Sequence, residues 1–330
     1  MTTLWDTTGT AVVKALAAER RQAGSVSSGL ALTLVVVVDE AHVAEAEAAA
    51  TRAAAQHPCR LLIVVRRRPE AEEPRLDAEV LIGGRLGPGE AVVMRMYGRL
   101  ALHAESVVLP LLAPDAPVVT WWYGEPPHRI AHDPLGVFAD RRITDCSLAA
   151  EQMAALAQRA EDYAPGDTDL GWTRTTLWRA LCASAMDSVH GEVNRVKVSG
   201  AADHVTRALL AGWLARRLGL DVDLEDTDGS GLVSVEIEAD DATVTITRGT
   251  SSSAVLARTG QPDRTLPLPR RELGDLLTEE LRRLDPDEPY SEALGAATGI
   301  TGLADRPPTR THEWHDPTES ETPDPALTVS

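Results

Sequence analysis

The chain has 330 residues, 43% hydrophobic and 25% charged, enough apolar surface for a sizeable core and, at this length, for two domains. Its net charge of −18, from 50 acidic and 32 basic side chains, repels phosphate backbones and anionic lipid, which excludes nucleic acid and membranes as expected partners. Three scattered cysteines with no CxxC pair argue against a disulfide framework, and the N-terminus lacks a cationic start followed by an apolar stretch, so the expected location is the cytoplasm.

In chain order, residues 10–22 form a short amphipathic pattern with Val12, Val13 and Leu16 on one face. LALTLVVVV (30–38) is apolar on both faces, as a strand inside a parallel sheet requires, and is too short to span a bilayer. The alanine-rich run 43–56 is a strong helix former, and LLIVV (61–65) is a second buried strand, which completes a right-handed βαβ unit. AEVLI (78–82), a glycine-rich turn (83–89) and AVVMRMY (91–97) add two strands; 100–112 reads as a helix ended by Pro110. PVVTWW (117–122) is a strand whose two tryptophans must point to opposite faces. A proline-rich loop (124–136) and helices at 148–163 and 172–187 follow.

The second half opens with the strand NRVKV (194–198) and a helix over 201–218 carrying Leu209, Leu210, Trp213, Leu214 and Leu218 on one face. LDVDL, LVSVEIE, ATVTITR and SAVLAR read as short strands, and 271–284 as a closing helix. Each half runs strand, helix, then several strands, an echo of layout without visible repetition of residues. The expected fold class is α/β: an N-terminal Rossmann-like, mostly parallel sheet domain over 1–145, bridging helices over 146–192 and a smaller α+β domain over 193–290. From Asp285 onward there are ten acidic, two basic and seven proline residues, so 291–330 is expected to be a disordered acidic tail.

No catalytic, cofactor-binding or metal-binding set is called for. GGRLGPGE (83–90) suggests a phosphate loop but lacks the GxGxxG spacing and is followed by a strand, which favours a hairpin turn. Asp226-Thr-Asp-Gly-Ser-Gly231 starts like a calcium loop, yet Ile237 stands where a bidentate carboxylate is needed, so it reads as a turn. His312-Glu-Trp-His315 has the wrong spacing for a zinc protease and sits in the tail. Cys59, Cys146 and Cys182 read as small buried hydrophobes. Arg66, Arg67 and Arg68 end a strand, where α/β sheets bind ligands, although a charge run is more often a solvated edge.

One segment resists such readings: PGDTDLGWTRTTLWR, residues 165–179. Asp167 or Asp169 suits a helix N-cap; Trp172 and Arg179 share one helical face, Arg174 and Trp178 another. Tryptophan and arginine at that density are enriched where proteins meet partners, with core packing as the competing reading. Together with HPCR (57–60), LLAPDAPVVTWW (111–122), RRITD (141–145), LLAGWLARRLG (209–219) and EELRRLDPDEPY (279–290), the segment resembles the OpcA family, the glucose-6-phosphate dehydrogenase assembly proteins, along 4–294 and closest to its actinobacterial branch. The resemblance implies a non-catalytic activator that binds glucose-6-phosphate dehydrogenase, the NADP-reducing entry step of the oxidative pentose phosphate pathway. The cyanobacterial branch carries a C-terminal cysteine pair under thioredoxin control; no cysteine lies beyond Cys182 here, so that switch is not expected. The expected partner-binding residues are Trp121, Trp122, Arg141, Arg142, Asp145, Asp167, Asp169, Trp172, Arg174, Trp178 and Arg179. The alternative is a sugar-phosphate- or nucleotide-binding protein or enzyme using Arg66 to Arg68 or the glycines at 83–89.

Overall fold

The structure, a computed structural model, describes residues 1–23, 30–83, 86, 89–187, 189–249 and 252–308. Its first sheet contains Thr2–Leu4 (β1), Leu32–Asp39 (β2), Cys59–Arg67 (β3), Arg75–Ile82 (β4), Glu90–Tyr97 (β5), Val118–Tyr123 (β6), Arg141–Thr144 (β7) and Asp167–Asp169 (β8). Across the sheet the order is β1-β4-β5-β3-β2-β6-β7-β8, and β4 alone runs against the others. The order reverses between β2 and β6, which makes their carboxyl ends a topological switch point.

Helix Gly9–Ala23 (α1) covers one face of this sheet and Val43–Gln56 (α2) the other. Because side chains alternate along a strand, Leu34, Val36 and Ile63 pack with Ala46, Ala50 and Ala53 of α2, while Val35, Val37, Leu62 and Val64 pack with Val12 and Leu16 of α1. Trp121 and Trp122 fall in the two opposite cores for the same reason. The helix expected over 100–112 is instead Arg99–Leu102 (α3), Glu105–Val108 (α4) and a 3-10 turn, Leu109–Leu111; His103 leaves helical geometry (φ −118°, ψ 41°) between the first two. β4 and β5 pair antiparallel up to Ile82 and Glu90, so the glycine-rich stretch joins a hairpin; its residues 84, 85, 87 and 88 lie outside the described residues.

After β7 come Gln152–Asp162 (α5), β8, Leu170–Thr173 (α6) and Thr176–Met186 (α7). The first sheet therefore extends to Asp169, past the boundary expected at 145, and a strand interrupts the expected bridging helices. Sequence pattern missed β7 and β8 because RRIT and DTD are polar, whereas buried strands are recognised by apolar runs.

The second sheet contains Val193–Gly200 (β9), Val222–Asp226 (β10), Leu232–Ala239 (β11), Thr243–Arg248 (β12), Ser253–Arg258 (β13) and Gln261–Pro267 (β14), in the order β10-β9-β11-β12-β13-β14. Helix Val205–Leu218 (α8) crosses between β9 and β10, which are the parallel pair; the other neighbours are antiparallel. Leu210 and Leu214 of α8 and Trp178 of α7 pack on Val198, Val235 and Ile246 to form this sheet's core. The turn between β10 and β11 holds the calcium-like motif, and its Asp226 is paired with Arg207 at 2.7 Å.

Two last helices lock the halves together. Leu273–Glu280 (α9) inserts Leu276 and Leu277 into the core of the first sheet, with Arg52 of α2 bonded to Asp275 at 2.7 Å. Glu288–Thr298 (α10) packs along α8, so the expected acidic tail is folded at its start; 309–330, including His312 and His315, lies outside the described residues. The helix was hidden by the prolines on either side of it, although Pro289 sits in its first turn, where no N–H is needed.

The α8–α10 contact gives a sharp prediction. A Cβ on Gly212 would stand 2.3 Å from the Ala293 carbonyl oxygen, so Gly212→Ala must push the helices apart. Urea denaturation should show a loss of about 1–3 kcal/mol, and an unchanged midpoint would contradict this packing.

Candidate partner-binding site at the sheet junction

The parallel register of β7 and β8 sets Arg142 beside Asp167 and Thr144 beside Asp169. Arg142 Nε donates to Asp167 Oδ1, while its two terminal nitrogens donate to the carbonyls of Ala139 (2.7 Å) and Pro165 (2.9 Å). Asp167 also accepts the Ala164 N–H at 2.7 Å. Both partners are buried, and burial lowers the pKa of Arg142 and pushes that of Asp167 up to about 6.

At the carboxyl end of β8, Asp169 Oδ2 accepts the Thr144 hydroxyl and the Cys146 N–H, each at 2.8 Å. Its Oδ1 accepts the Gly171 N–H at 2.8 Å and so caps α6. Burial, then the charge of Asp145, raises the Asp169 pKa. Asp145, just past β7, takes both terminal nitrogens of Arg174 at 2.8 and 2.7 Å, a bidentate pair.

The rest of segment 165–179 ties this network to the second half of the chain. Trp172 donates its indole N–H to Asp287 at 2.9 Å, and Asp287 caps α10 through the Tyr290 N–H. The Arg179 guanidinium lies 3.7 Å from the centre of the Trp172 ring. Thr173 donates to Glu280 of α9 at 2.6 Å, and Arg141 bonds to the same carboxylate. Thr176 donates to Glu279 at 2.7 Å.

The expected contact residues are thus brought together, but as an internal junction. Trp121, Trp122, Trp172 and Trp178 are at most 2% exposed, and Arg141, Arg142, Asp145, Asp167 and Asp169 are buried as well. Only Arg174 and Arg179 are partly exposed. These residues therefore form no outward face of tryptophan and arginine. The physical reason is that α6 and α7 lie between two sheets and several helices, and that Arg141, Arg142 and Arg174 are matched inside by Glu280, Asp167 and Asp145.

Above the junction, at the switch point, a cleft of about 650 Å³ is lined by Asp39, His42, Tyr123, Glu125, Leu148 and Arg159 among others. Leu148 stands 47% exposed at its rim, one of the few large apolar side chains in solvent among the described residues. The turn from β2 to α2 carries Asp39 and Glu40 and no glycine, and His42 Nδ1 is bonded to Asp39 at 2.8 Å. Carboxylates thus occupy the place where this fold class seats a dinucleotide's phosphates. The sequence reading missed Asp39, His42 and Leu148; Asp39 and His42 had a signal in their place at or just after the end of β2, which flanks the switch point, whereas Leu148 follows β7, a strand no local pattern reveals.

A second cavity, of about 630 Å³, collects Arg66, Arg67, Arg68, Arg75 and Tyr97 at the ends of β3 and β5. Arg67 is bonded to Glu40 (2.5 Å) and to the Tyr97 hydroxyl (2.6 Å), and Arg75 to Asp77 (2.9 Å). No helix among the described residues is long and apolar enough to cross a membrane, and no group of three or more potential metal ligands is found among them.

Asp167 yields a pH prediction. Its folded pKa of about 6 lies above the ordinary 3.8, so between those values the folded chain holds a proton that the unfolded chain has lost. This contribution to stability is complete below the lower value and disappears as pH rises through the upper one. Relative to the neutral isostere Asp167→Asn, the wild type should lose about 3 kcal/mol across that window in urea unfolding. A constant difference would show that Asp167 is not held protonated by burial.

Residues 50–161 match a family profile described as the glucose-6-phosphate dehydrogenase subunit N-terminal domain, and residues 165–294 the one described as its C-terminal domain. No curated protein matches at a significant level. Among solved structures, a levoglucosan dehydrogenase in complex with NADH and L-sorbose is 12% identical at a TM-score of 0.46, over 84% of this chain and 97% of that one. An oxidoreductase from Sinorhizobium meliloti gives 12% and 0.45 over 84% and 97%, and an inositol dehydrogenase homolog from Azotobacter vinelandii 11% and 0.38 over 82% and 88%. Likenesses that distant carry no functional argument. The two profiles together cover most of the chain, from α2 through β3 to β8 of the first sheet, the whole second sheet and the junction between them, and the chain belongs to the OpcA family of glucose-6-phosphate dehydrogenase assembly proteins.

Proposed function

We propose that this protein is a non-catalytic assembly factor that activates glucose-6-phosphate dehydrogenase by direct binding, and that it meets the enzyme at the switch-point cleft. The observation that carries this reading is the match of both halves of the chain to glucose-6-phosphate dehydrogenase subunit domains. Leu148 is the apolar anchor and Asp39 and Glu125 of the cleft are its polar contacts, while the partly exposed Arg174 and Arg179, which do not line that cleft, hold it from the junction. Trp121, Trp122, Arg141, Arg142, Asp145, Asp167, Asp169, Trp172 and Trp178 support that surface from beneath.

A non-catalytic role fits the chemistry available. Burial pushes the thiols of Cys59 and Cys182 up to about 12 and raises that of Cys146 as well, so none is a ready nucleophile. Activation then requires only that the protein bind the active state of the enzyme better than the inactive one, each ~1.4 kcal/mol of preference shifting the ratio tenfold.

Leu148→Asp should leave the far-UV spectrum and melting temperature unchanged while activation of the dehydrogenase falls at least ~5-fold, the loss expected when an anchor of about 1 kcal/mol or more is removed. Trp178→Ala should instead lose about 3–5 kcal/mol of stability, because it empties the core of the second sheet. A Leu148→Asp protein that still activates fully and co-elutes with the enzyme would place the contact elsewhere.

A further inference from the structure

On the other side of the Asp145–Arg174 pair lies a separate cleft of about 300 Å³. Its walls come from α7, the start of α8, the β10–β11 turn, the end of β12 and the chain after β14. Its charge is the reverse of the molecule's. Arg174, Arg248, Arg270 and Arg271 all line it, in a chain whose net charge is −18.

Two of the four guanidiniums are matched: Arg174 by Asp145 and Arg271 by Glu279. Arg248 and Arg270 have no carboxylate partner among the described residues. Arg248 is held by a bond to the Leu268 carbonyl (2.9 Å) and lies 5.3 Å from the centre of the Trp178 ring. Burial and the neighbouring charge of Arg270 both lower its pKa, the mark of a positive charge left unbalanced.

Polar uncharged groups join them. His204 caps α8 with Nδ1, which accepts the Arg207 N–H at 3.4 Å, so the neutral ring carries its hydrogen on Nε2, beside Gly231. Thr206 is 4% exposed, and its hydroxyl oxygen is buried without a hydrogen-bond partner. Ser230 and Gln152 also reach the cleft. The amino end of α8, a 14-residue helix, adds the positive end of its dipole.

We propose that this cleft binds a small phosphorylated metabolite, a phosphate monoester whose anionic head lies between Arg248 and Arg270 and whose hydroxyls are met by Thr206, Ser230 and Gln152. Guanidinium is the side chain best matched to a phosphate, and its planar fork fixes the orientation. The volume is at the lower end of small-molecule sites, which suits a sugar-phosphate-sized ligand and leaves no room for a dinucleotide. The assignment does not depend on how the chain meets its protein partner.

Isothermal titration of the full chain with glucose 6-phosphate and with inorganic phosphate, at ionic strength fixed with chloride, tests it. Wild type should bind the monoester at one saturable site and more tightly than inorganic phosphate. Arg248→Gln with Arg270→Gln should weaken both by about tenfold or more, as loss of charged hydrogen bonds requires, while Arg67→Gln with Arg68→Gln in the other basic cavity should change neither. Thr206→Val keeps every charge and should weaken the monoester alone. No saturable binding, or equal affinity in the Arg248/Arg270 variant, would overturn the site. Equal affinity for the two probes in wild type would overturn the hydroxyl contacts.

Discussion

A charge carried into a protein interior must be matched there, because an uncompensated guanidinium or carboxylate costs several kcal/mol. Strands β7 and β8 carry Arg141, Arg142, Asp167 and Asp169 into the interior, and much of the architecture can be read as the matching of those four groups. Arg142 takes Asp167 across the parallel register; Arg141 takes Glu280, which forces α9 onto the first sheet. Asp169 gathers N–H and hydroxyl donors from β7, the turn after it and α6, which fixes where the chain leaves the first sheet. Directional bonds of this kind set register and orientation, whereas the apolar cores around them supply the bulk of the stabilisation.

That junction also explains how two sheets act as one body. Trp172, Tyr163 and Tyr290 fill the space between α5, α6, α8 and α10, and Trp178 begins the second core within two helical turns of the first. Residues that looked like a binding face are therefore what holds the surfaces in position. Solvent sees the products of that arrangement: an acid-lined cleft with Leu148 at its rim, and a basic cleft on the other side of the Asp145–Arg174 pair. The two differ in sign because Asp39, Glu125 and Asp145 line the first and Arg174, Arg248, Arg270 and Arg271 the second.

The apolar strands were legible in the sequence. LALTLVVVV and LLIVV can only be central strands, and the alanine-rich run between them can only be a close-packed helix. The strands RRIT and DTD were not legible, since their burial depends on partners far along the chain that no local pattern reveals. Segment 165–179 is unusual in its sequence, yet Trp172 and Trp178 turn inward while Arg174 and Arg179 stay partly exposed, because helical spacing says which residues share a face and not what that face meets. Prolines near α10 suggested disorder, although one of them only starts the helix. The orphan Thr206 hydroxyl and the unmatched Arg248 and Arg270 could be found only in three dimensions.

The most direct measurement is the steady-state rate of glucose-6-phosphate dehydrogenase from the same source, with and without this purified protein, across substrate concentrations. A rise in kcat or a fall in KM that saturates with added protein, together with co-elution of the two chains, is the predicted result. Unchanged kinetics with no complex on a sizing column would contradict the account.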